Sequence, residues 1–270
     1  MKRQTLLALA ATAAVILPAS LLAHRQWMLP SSTVLSKADI WITVDAAVSN
    51  ELFFFDHVPM RPNNIAITAP DGSSIPPQNV ATGKYRTTFD VHLQKPGTYR
   101  IASVSNTVFA NWKEQGQPKS WRGDAAALAK SVPPGAQDLQ TSKMSNRVEF
   151  FVTAGKPDTR ALEPSGAGLE LVAVTHPNDL VTSEPATFQF LHNGKPAPGL
   201  VVSVIPGGIR YRDQLHEQKI TTGDDGKFSV RFAQPGMYWL NAIAGAARPA
   251  PGASPADRAG YVATLEVMPE

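Results

Sequence analysis

Apolar and polar residues alternate in short runs along most of the chain, which is the period-two pattern of half-buried β-strands. The clearest case is Phe89, Val91 and Leu93, which alternate with polar neighbours. Short strands are predicted at residues 40–44, 65–69, 85–93, 98–103, 147–153, 169–174, 186–191, 201–205, 219–222, 228–232, 237–242 and 262–267. A turn is predicted at 70–72 and a hairpin turn at 223–226, because both segments are rich in Asp and Gly. The pattern therefore predicts an all-β protein.

One strand–turn–strand unit occurs twice. Residues 89–101 and 228–240 align without a gap on the pattern F-x-V-x-[LF]-x-x-P-G-x-Y-x-[IL]. Pro-Gly suits the turn because Pro presets φ and Gly accepts a positive φ. The repeat predicts two tandem β-sandwich domains of immunoglobulin-like or prealbumin-like type, at 24–155 and 169–270. A Pro-, Gly- and Ser-rich linker at 156–168 would join them.

A short helix is predicted inside the first domain, at residues 124–130. Asp124 is a suitable N-cap for the Ala-rich run that follows it, and Pro133 and Pro134 would end the helix. In the second domain, residues 246–257 are rich in Ala, Pro and Gly and are predicted to form a loop.

The first 23 residues have the features of a signal peptide. Lys2 and Arg3 precede an uncharged run from residue 6 to 23 that ends on a small residue, Ala23. A single anchoring helix is the alternative, but Pro18 near the end of the run favours cleavage after Ala23. No later segment is long and apolar enough to span a bilayer. The mature chain is therefore expected to be exported and periplasmic.

Composition excludes several classes of function. The chain has no Cys, which excludes disulfides, zinc fingers, iron–sulfur clusters and Cys nucleophiles. The formal charge is +3 and falls to +1 when Lys2 and Arg3 are removed with the leader, so no basic patch indicates nucleic acid. The sequence contains no nucleophile elbow and no phosphate-binding loop. The chain is predicted not to be an enzyme.

Segments along nearly all of the mature chain carry a resemblance to one family. The segments are 23–32, 44–57, 67–73, 169–181, 206–213 and 235–240. They resemble the exported bacterial family known as domain of unknown function 4198. Its members are often described as the periplasmic component of a cobalt or nickel uptake system. The resemblance implies metal handling, with iron or copper as further candidates.

Three of the six histidines are candidate metal ligands. Cleavage after Ala23 would leave His24 with a free α-amine beside its imidazole, and together these two nitrogens can chelate a transition metal. His57 follows Asp56, and either it is a ligand or it caps a turn. His176 opens a His-Pro-Asn-Asp segment, where Asp179 could be a ligand or an outer hydrogen-bond acceptor. The alternative for His176 is an ordinary turn. We expect the other histidines to lie on the surface or in loops: His92, His192 and His216.

The leading hypothesis is a non-catalytic periplasmic accessory protein of a transition-metal uptake or homeostasis system. It would bind one divalent ion (Ni, Co, Cu, Fe or Zn) through His24, His57 and His176 and pass it to a membrane transporter component. The alternative is an exported structural or interaction module without metal, with residues 210–213 as a possible contact patch. A third hypothesis, an oxidative copper enzyme, is not selected by any feature of the sequence.

Overall fold

The computed structural model describes residues 24–245 and 257–270. The predicted signal peptide and most of the predicted loop at 246–257 lie outside these residues. Within these residues strands dominate, with one α-helix, α1 (Ala125–Ser131), and three short 3-10 turns. The all-β prediction and its short helical excursion are confirmed. Asp124 is the N-cap of α1, since its side chain accepts a hydrogen bond of 2.8 Å from the Ala127 amide.

The first half contains eleven strands: β1 (Arg25–Pro30), β2 (Val34–Leu35), β3 (Ile40–Ser49), β4 (Val58–Pro59), β5 (Ile65–Thr68), β6 (Ser74–Ile75), β7 (Gln78–Thr82), β8 (Thr87–Leu93), β9 (Gly97–Glu114), β10 (Gln117–Gly123) and β11 (Gln137–Ala154). The second half contains eight: β12 (Leu169–Ala173), β13 (Ala186–His192), β14 (Lys195–Pro196), β15 (Val201–Pro206), β16 (Gln218–Thr221), β17 (Lys227–Val230), β18 (Gly236–Ala244) and β19 (Arg258–Val267).

These strands form three sheets, which we name here. The N-sheet has the order β1-β3-β8-β7, with β4 also paired to β3. The shared sheet runs β16-β15-β18-β19-β11-β9-β5-β6, with β10 on β9 and β2 on β11. The C-sheet has the order β12-β13-β14, with β17 also on β13. The shared sheet therefore contains strands from both halves of the chain.

The two halves join through a parallel pair, β11 with β19, in register from Met144 opposite Arg258 to Phe150 opposite Thr264. Successive residues of a strand face opposite sides of a sheet. Val148, Phe150 and Val262 accordingly pack into a core under the N-sheet, whereas Tyr261 and Ala263 pack into a second core under the C-sheet. The N-sheet and the C-sheet thus cover opposite faces of the shared sheet.

The repeated Pro-Gly unit carries the chain from one sheet to another. β8 belongs to the N-sheet and β9 to the shared sheet, and β17 and β18 are divided in the same way between the C-sheet and the shared sheet. In the first unit the Tyr99 hydroxyl donates to the Lys95 carbonyl at 2.8 Å and accepts from the Lys95 amide at 2.7 Å. The Tyr238 hydroxyl makes the same two contacts with Gln234 in the second unit. Each tyrosine therefore closes the crossing of its own unit.

The prediction of a hairpin at 223–226 is wrong in one respect. The turn exists, and the Gly223 amide donates to the Lys227 carbonyl at 2.9 Å. The flanking strands β16 and β17, however, pair in the shared sheet and the C-sheet respectively. Turn residues specify a reversal of the chain but not the sheet that the next strand joins.

A hairpin arm extends from the shared sheet, and we call residues 104–146 the arm. β9 and β11 each run for 18 residues and pair almost throughout, far beyond the predicted ends at 103 and 147. Within the arm Val108, Ala110 and Trp112 are buried. These extensions were not predicted because their small and polar residues do not alternate regularly with apolar ones.

A buried ionic cluster lies where the two halves meet. Glu149 is 1% exposed, and its carboxylate accepts from the Tyr261 hydroxyl at 2.7 Å and from Arg147 at 3.4 Å. Arg147 also lies 3.3 Å from the carboxylate of Glu170, which accepts two hydrogen bonds from Ser165. The cluster ties the predicted linker to both halves, because Ser165 belongs to that segment.

Candidate functional site

The candidate site lies at one end of β3, where the short strands β1 and β4 both pair with the last residues of β3. β1 starts with Arg25 opposite Ser49, and β4 starts with Val58 opposite Val48. His24 and His57 are the residues immediately before these two strands. Strand pairing therefore brings together two histidines that are far apart in sequence.

The two imidazoles are in direct contact, and we call them the histidine pair. Their ring centroids lie 3.7 Å apart and their planes differ by 5°. His24 is exposed and His57 is half-buried. Within residues 24–245 and 257–270, neither ring takes part in a hydrogen bond or an ion pair. The ring nitrogens are thus available for a ligand.

The loop between β3 and β4 holds His57 in place. The Asp56 carboxylate accepts a hydrogen bond from the Asn50 amide at 2.8 Å and closes the loop on itself. Phe53 and Phe55 both pack on Trp27 of β1, with ring centroids at 5.5 Å. Trp27 is fully buried. The loop is therefore anchored in the first core immediately before His57.

Residues of the second half brace the same loop. Arg210 lies 3.3 Å from the Glu51 carboxylate and 3.8 Å from the centroid of the Phe54 ring. A Cβ added to Gly207 would lie 3.0 Å from the Met237 carbonyl oxygen and 3.1 Å from the Phe53 ring, so a larger residue here would fit only if these neighbours moved by a few tenths of an ångström. The structure thus gathers four of the segments that carry the family resemblance, 23–32, 44–57, 206–213 and 235–240.

The last of these segments contributes Trp239. Its indole nitrogen donates to the Gln26 carbonyl of β1 at 2.9 Å, and Arg25 lies 5.9 Å from the centroid of its ring. Trp239 is 7% exposed and packs in the first core although it belongs to the second half. It holds the start of β1, directly beside His24.

The patch predicted at 210–213 divides into different roles. The Arg212 guanidinium donates to four backbone carbonyls at 2.5–3.1 Å, those of Pro206, Gly207, Gln214 and Leu215. Arg212 therefore fixes its own loop. Arg210 contacts the loop before His57, as described above, and Tyr211 between them is 85% exposed.

His176 occupies a different environment, at the seam between the two halves. Its Nε2 lies 3.1 Å from both the Thr98 hydroxyl and the Asp158 carbonyl. Its Nδ1 accepts a hydrogen bond from the Asn178 amide at 3.2 Å. Both nitrogens are thus engaged in hydrogen bonds, and the contacts of His176 are with other residues than those around the histidine pair.

The histidine pair is not part of a larger cluster of metal-ligand side chains in the part of the chain that the structure describes. There, no group of three or more His, Cys, Asp or Glu side chains is arranged to hold an ion. The histidine pair offers two imidazoles, and a third nitrogen would have to come from the α-amine of His24. The α-amine was inferred from the predicted cleavage site. The contact between the two rings could not be predicted from the sequence.

The other histidines have local roles or lie apart from the pair. His92 stacks on Trp41 and contacts the Asp39 carboxylate at 2.8 Å. His192 is half-exposed at the end of β13, and His216 is exposed. Among the described residues, no helix combines the length and apolar character needed to cross a membrane.

Comparison with solved structures finds weak overall similarities. The D0-D1 domain of intimin is 13% identical, covers 88% of this chain and 97% of its own, and has a TM-score of 0.22. The human OSCAR ligand-binding domain is 10% identical, covers 90% of this chain and 98% of its own, and has a TM-score of 0.21. No curated protein matches the chain.

Comparison with family models identifies one match. The model described as Domain of unknown function (DUF4198) matches residues 21–245, which include the histidine pair and every element that braces it. The chain belongs to the DUF4198 family.

Proposed function

We propose that this chain is an exported, non-catalytic protein that binds a divalent transition metal ion reversibly and passes it to a membrane transporter component. The observation that carries the proposal is the contact between the rings of His24 and His57, at 3.7 Å. Cleavage after Ala23 would add the α-amine of His24, so that the two residues would offer three nitrogen donors. Nickel and cobalt, named by the family resemblance, are candidates, as are copper, iron and zinc.

The chemistry of the donors supports a borderline metal. Imidazole is a good ligand for Zn, Cu, Fe and Ni, and nitrogen donors in a planar arrangement suit Cu(II) and Ni(II). Metal ligands bind in their deprotonated form, so an ion would take up the neutral imidazoles and the deprotonated α-amine. The amine and imidazole of His24 belong to one residue, which favours chelation.

The geometry requires one adjustment. Ring nitrogens point along the plane of an imidazole, so parallel stacked rings do not aim their lone pairs at a common ion. His24 is exposed, and its ring can turn away from the stack, whereas the loop around Asp56 holds His57. Metal binding is thus expected to replace the ring stack with coordination by the same two side chains.

His176 is a weaker part of the proposal. To bind an ion it would have to give up its contacts with Thr98, Asp158 and Asn178. We therefore place the primary site at His24 and His57, and keep His176 as a predicted additional ligand.

The test compares two forms of the purified protein, one starting at His24 and one with a single extra N-terminal residue. We expect the first form to bind one equivalent of Ni²⁺ or Cu²⁺ in calorimetric titration. Loss of an outer hydrogen-bond partner already weakens metal affinity about 10–100-fold, so loss of a ligand should exceed about 100-fold. Equal affinity of the two forms would refute the role of the α-amine.

Two substitutions complete the test. His57→Ala should weaken binding by a similar factor, and His192→Ala, a half-exposed histidine on β13, is the matched control and should have no effect. N-terminal sequencing of the exported protein establishes whether the chain begins at His24. Absence of binding by the form that starts at His24 would reject the proposal as a whole.

A second candidate function is an interaction module without metal. The observation in its favour is Tyr211, which is 85% exposed on a turn fixed by Arg212. Exposed Tyr beside Arg is frequent at the energetic centres of protein interfaces. Metal-independent capture of a partner that is lost with Tyr211→Ala would favour this candidate.

A further inference from the structure

One tryptophan of this chain is presented to solvent on a sheet face. Trp27, Trp112 and Trp239 are at most 8% exposed, and Trp121 is half-buried on the arm. Trp41 is 47% exposed, on the face of the N-sheet that points away from the first core. Trp41 is thus the most exposed of the five tryptophans.

The Trp41 ring is held in a fixed orientation. It stacks on His92 of β8, with centroids 4.3 Å apart and planes within 6°. The His92 Nε2 contacts the Asp39 carboxylate at 2.8 Å and its Nδ1 lies 3.3 Å from the Gln94 amide nitrogen. A ring fixed in this way loses little conformational entropy when a ligand binds.

One side of the indole is left open. His92 covers the side toward β8, because Trp41 and His92 are cross-strand partners. On the opposite edge of β3, β1 pairs only from Val44 onward and does not reach Trp41. The indole is therefore stacked on His92 on the β8 side, and 47% of Trp41 stays exposed.

The side chains around Trp41 are polar. The neighbours on the same face of β3 and β8 are Thr43, Asp45, Thr88, Asp90 and His92. An aromatic centre of a protein interface is normally surrounded by contacts that exclude water. A lone ring among hydrogen-bonding groups is better matched by a pyranose, which presents a C–H face to the ring and hydroxyls around its rim.

The polar groups are also fixed in place. The Asp90 carboxylate accepts hydrogen bonds from Asn79 at 2.8 Å and from Thr43 at 2.7 Å, and these bonds lower its pKa. A carboxylate has about four lone-pair sites, so it retains capacity for sugar hydroxyls. Within the described residues neither Asp39 nor Asp90 pairs with a Lys or Arg, whereas Asp45 on the same face lies 3.3 Å from Arg86. The two unpaired carboxylates disfavour an acidic sugar beside the ring.

From these observations we infer that Trp41, with Asp39 and Asp90 nearby, forms a binding subsite for a neutral pyranose of an oligosaccharide. The inference is independent of the proposed metal site, since it uses no residue of the histidine pair. It assigns a role to the Asp39–His92–Trp41 arrangement, in which the carboxylate positions the imidazole and the imidazole positions the indole.

The test uses the full mature chain with cellotetraose and tetra-N-acetylchitotetraose as probes, followed by calorimetry and NMR. We expect saturable binding of at least one of these glycans. Trp41→Ala should weaken binding by about tenfold or more, and Trp41→Phe should restore most of it, because an aromatic face remains. Trp121→Ala, on the arm, is the control and should bind as the unmodified chain does.

Several outcomes would overturn the inference. These are no binding of either glycan, binding that Trp41→Ala leaves unchanged, and binding of polygalacturonate in preference to the neutral glycans. Because the rim is acidic, tetramethylammonium is included as a probe. Binding of this cation without binding of the glycans would show a cation site instead. Trp41 is half exposed, so circular dichroism of Trp41→Ala is expected to match that of the unmodified chain.

Discussion

At the scale of single residues, buried charges connect the halves of the molecule. Glu170 is 3% exposed, and burial alone would raise its pKa. Hydrogen bonds from Ser165 and Gly166, together with the charge of Arg147, outweigh burial and lower the pKa below its usual value. The ionised carboxylate is therefore the form that the folded chain prefers.

This preference has a consequence for stability at acid pH. A carboxylate whose pKa is lower in the folded state contributes stability above its unfolded-state pKa, and the contribution disappears as the pH falls through the folded value. Glu170→Gln should lower the free energy of unfolding by about 1–3 kcal/mol at pH 7. The difference from the unmodified chain should shrink as the pH falls below about 4.5 and through the lowered pKa of Glu170.

Urea denaturation at pH 7 and at pH 3 measures the difference in unfolding free energy between Glu170→Gln and the unmodified chain. Glu163→Gln is the control, because Glu163 is an exposed carboxylate in the same segment. A difference that grows toward pH 3 would contradict the assigned role of Glu170.

At the scale of elements, the two crossings between sheets share one construction. In each, Pro-Gly reverses the chain and a tyrosine hydroxyl binds the backbone just before the turn. Gly97 has φ of 130° and Gly236 has φ of 134°, values that other residues rarely adopt. The sequence repeat therefore encodes the crossing itself and not only the strands on either side.

Removal of either hydroxyl tests this construction. Tyr99→Phe and Tyr238→Phe should each lower the free energy of unfolding by about 0.5–1.5 kcal/mol, because the hydrogen bonds of the hydroxyl to the backbone before the turn are lost. Tyr85→Phe, where the ring is 43% exposed, should have no measurable effect. Equal stability of all three variants in thermal denaturation would show that the hydroxyls do not close the crossings.

At the scale of the whole molecule, the shared sheet couples the two cores. β11 and β19 are neighbours in one hydrogen-bonded sheet, and Trp239 and Val262 from the second half complete the first core. Neither half buries its apolar surface fully without the other. The chain should therefore unfold as one cooperative unit and not as two independent domains.

A substitution in the second core tests this coupling, with tryptophan fluorescence as the signal. Phe190→Ala removes a fully buried ring from the second core and should cost about 3–5 kcal/mol. The tryptophans belong to the first core, the N-sheet or the arm. Their fluorescence therefore reports the unfolding of regions outside the second core.

The fluorescence midpoint should fall together with the far-ultraviolet circular dichroism midpoint. Phe109→Ala, a 37% exposed ring on the arm, is the control and should leave both midpoints near those of the unmodified chain. Two separated transitions in Phe190→Ala would contradict the coupling.

Features that depend on neighbouring residues could be predicted from the sequence. Alternation of Phe89, Val91 and Leu93 predicted a strand, the Pro-Gly repeat predicted two turns, and Asp124 predicted the start of a helix. These predictions succeed because side-chain period, φ preference and capping are local properties. The long strands of the arm were not predicted, because they lack a regular alternating apolar pattern. They are strands because β9 and β11 pair with each other.

Which elements contact one another could be seen in the folded structure alone. Every residue except Pro offers the same backbone donor and acceptor, so the sequence near β8 or β17 does not specify the sheet that the following strand will join. The contact between His24 and His57 depends on two strands that pair with the same end of β3, and the bracing by Arg210 depends on the other half of the chain. The identity of candidate ligands was therefore readable from the sequence, whereas their convergence required the fold.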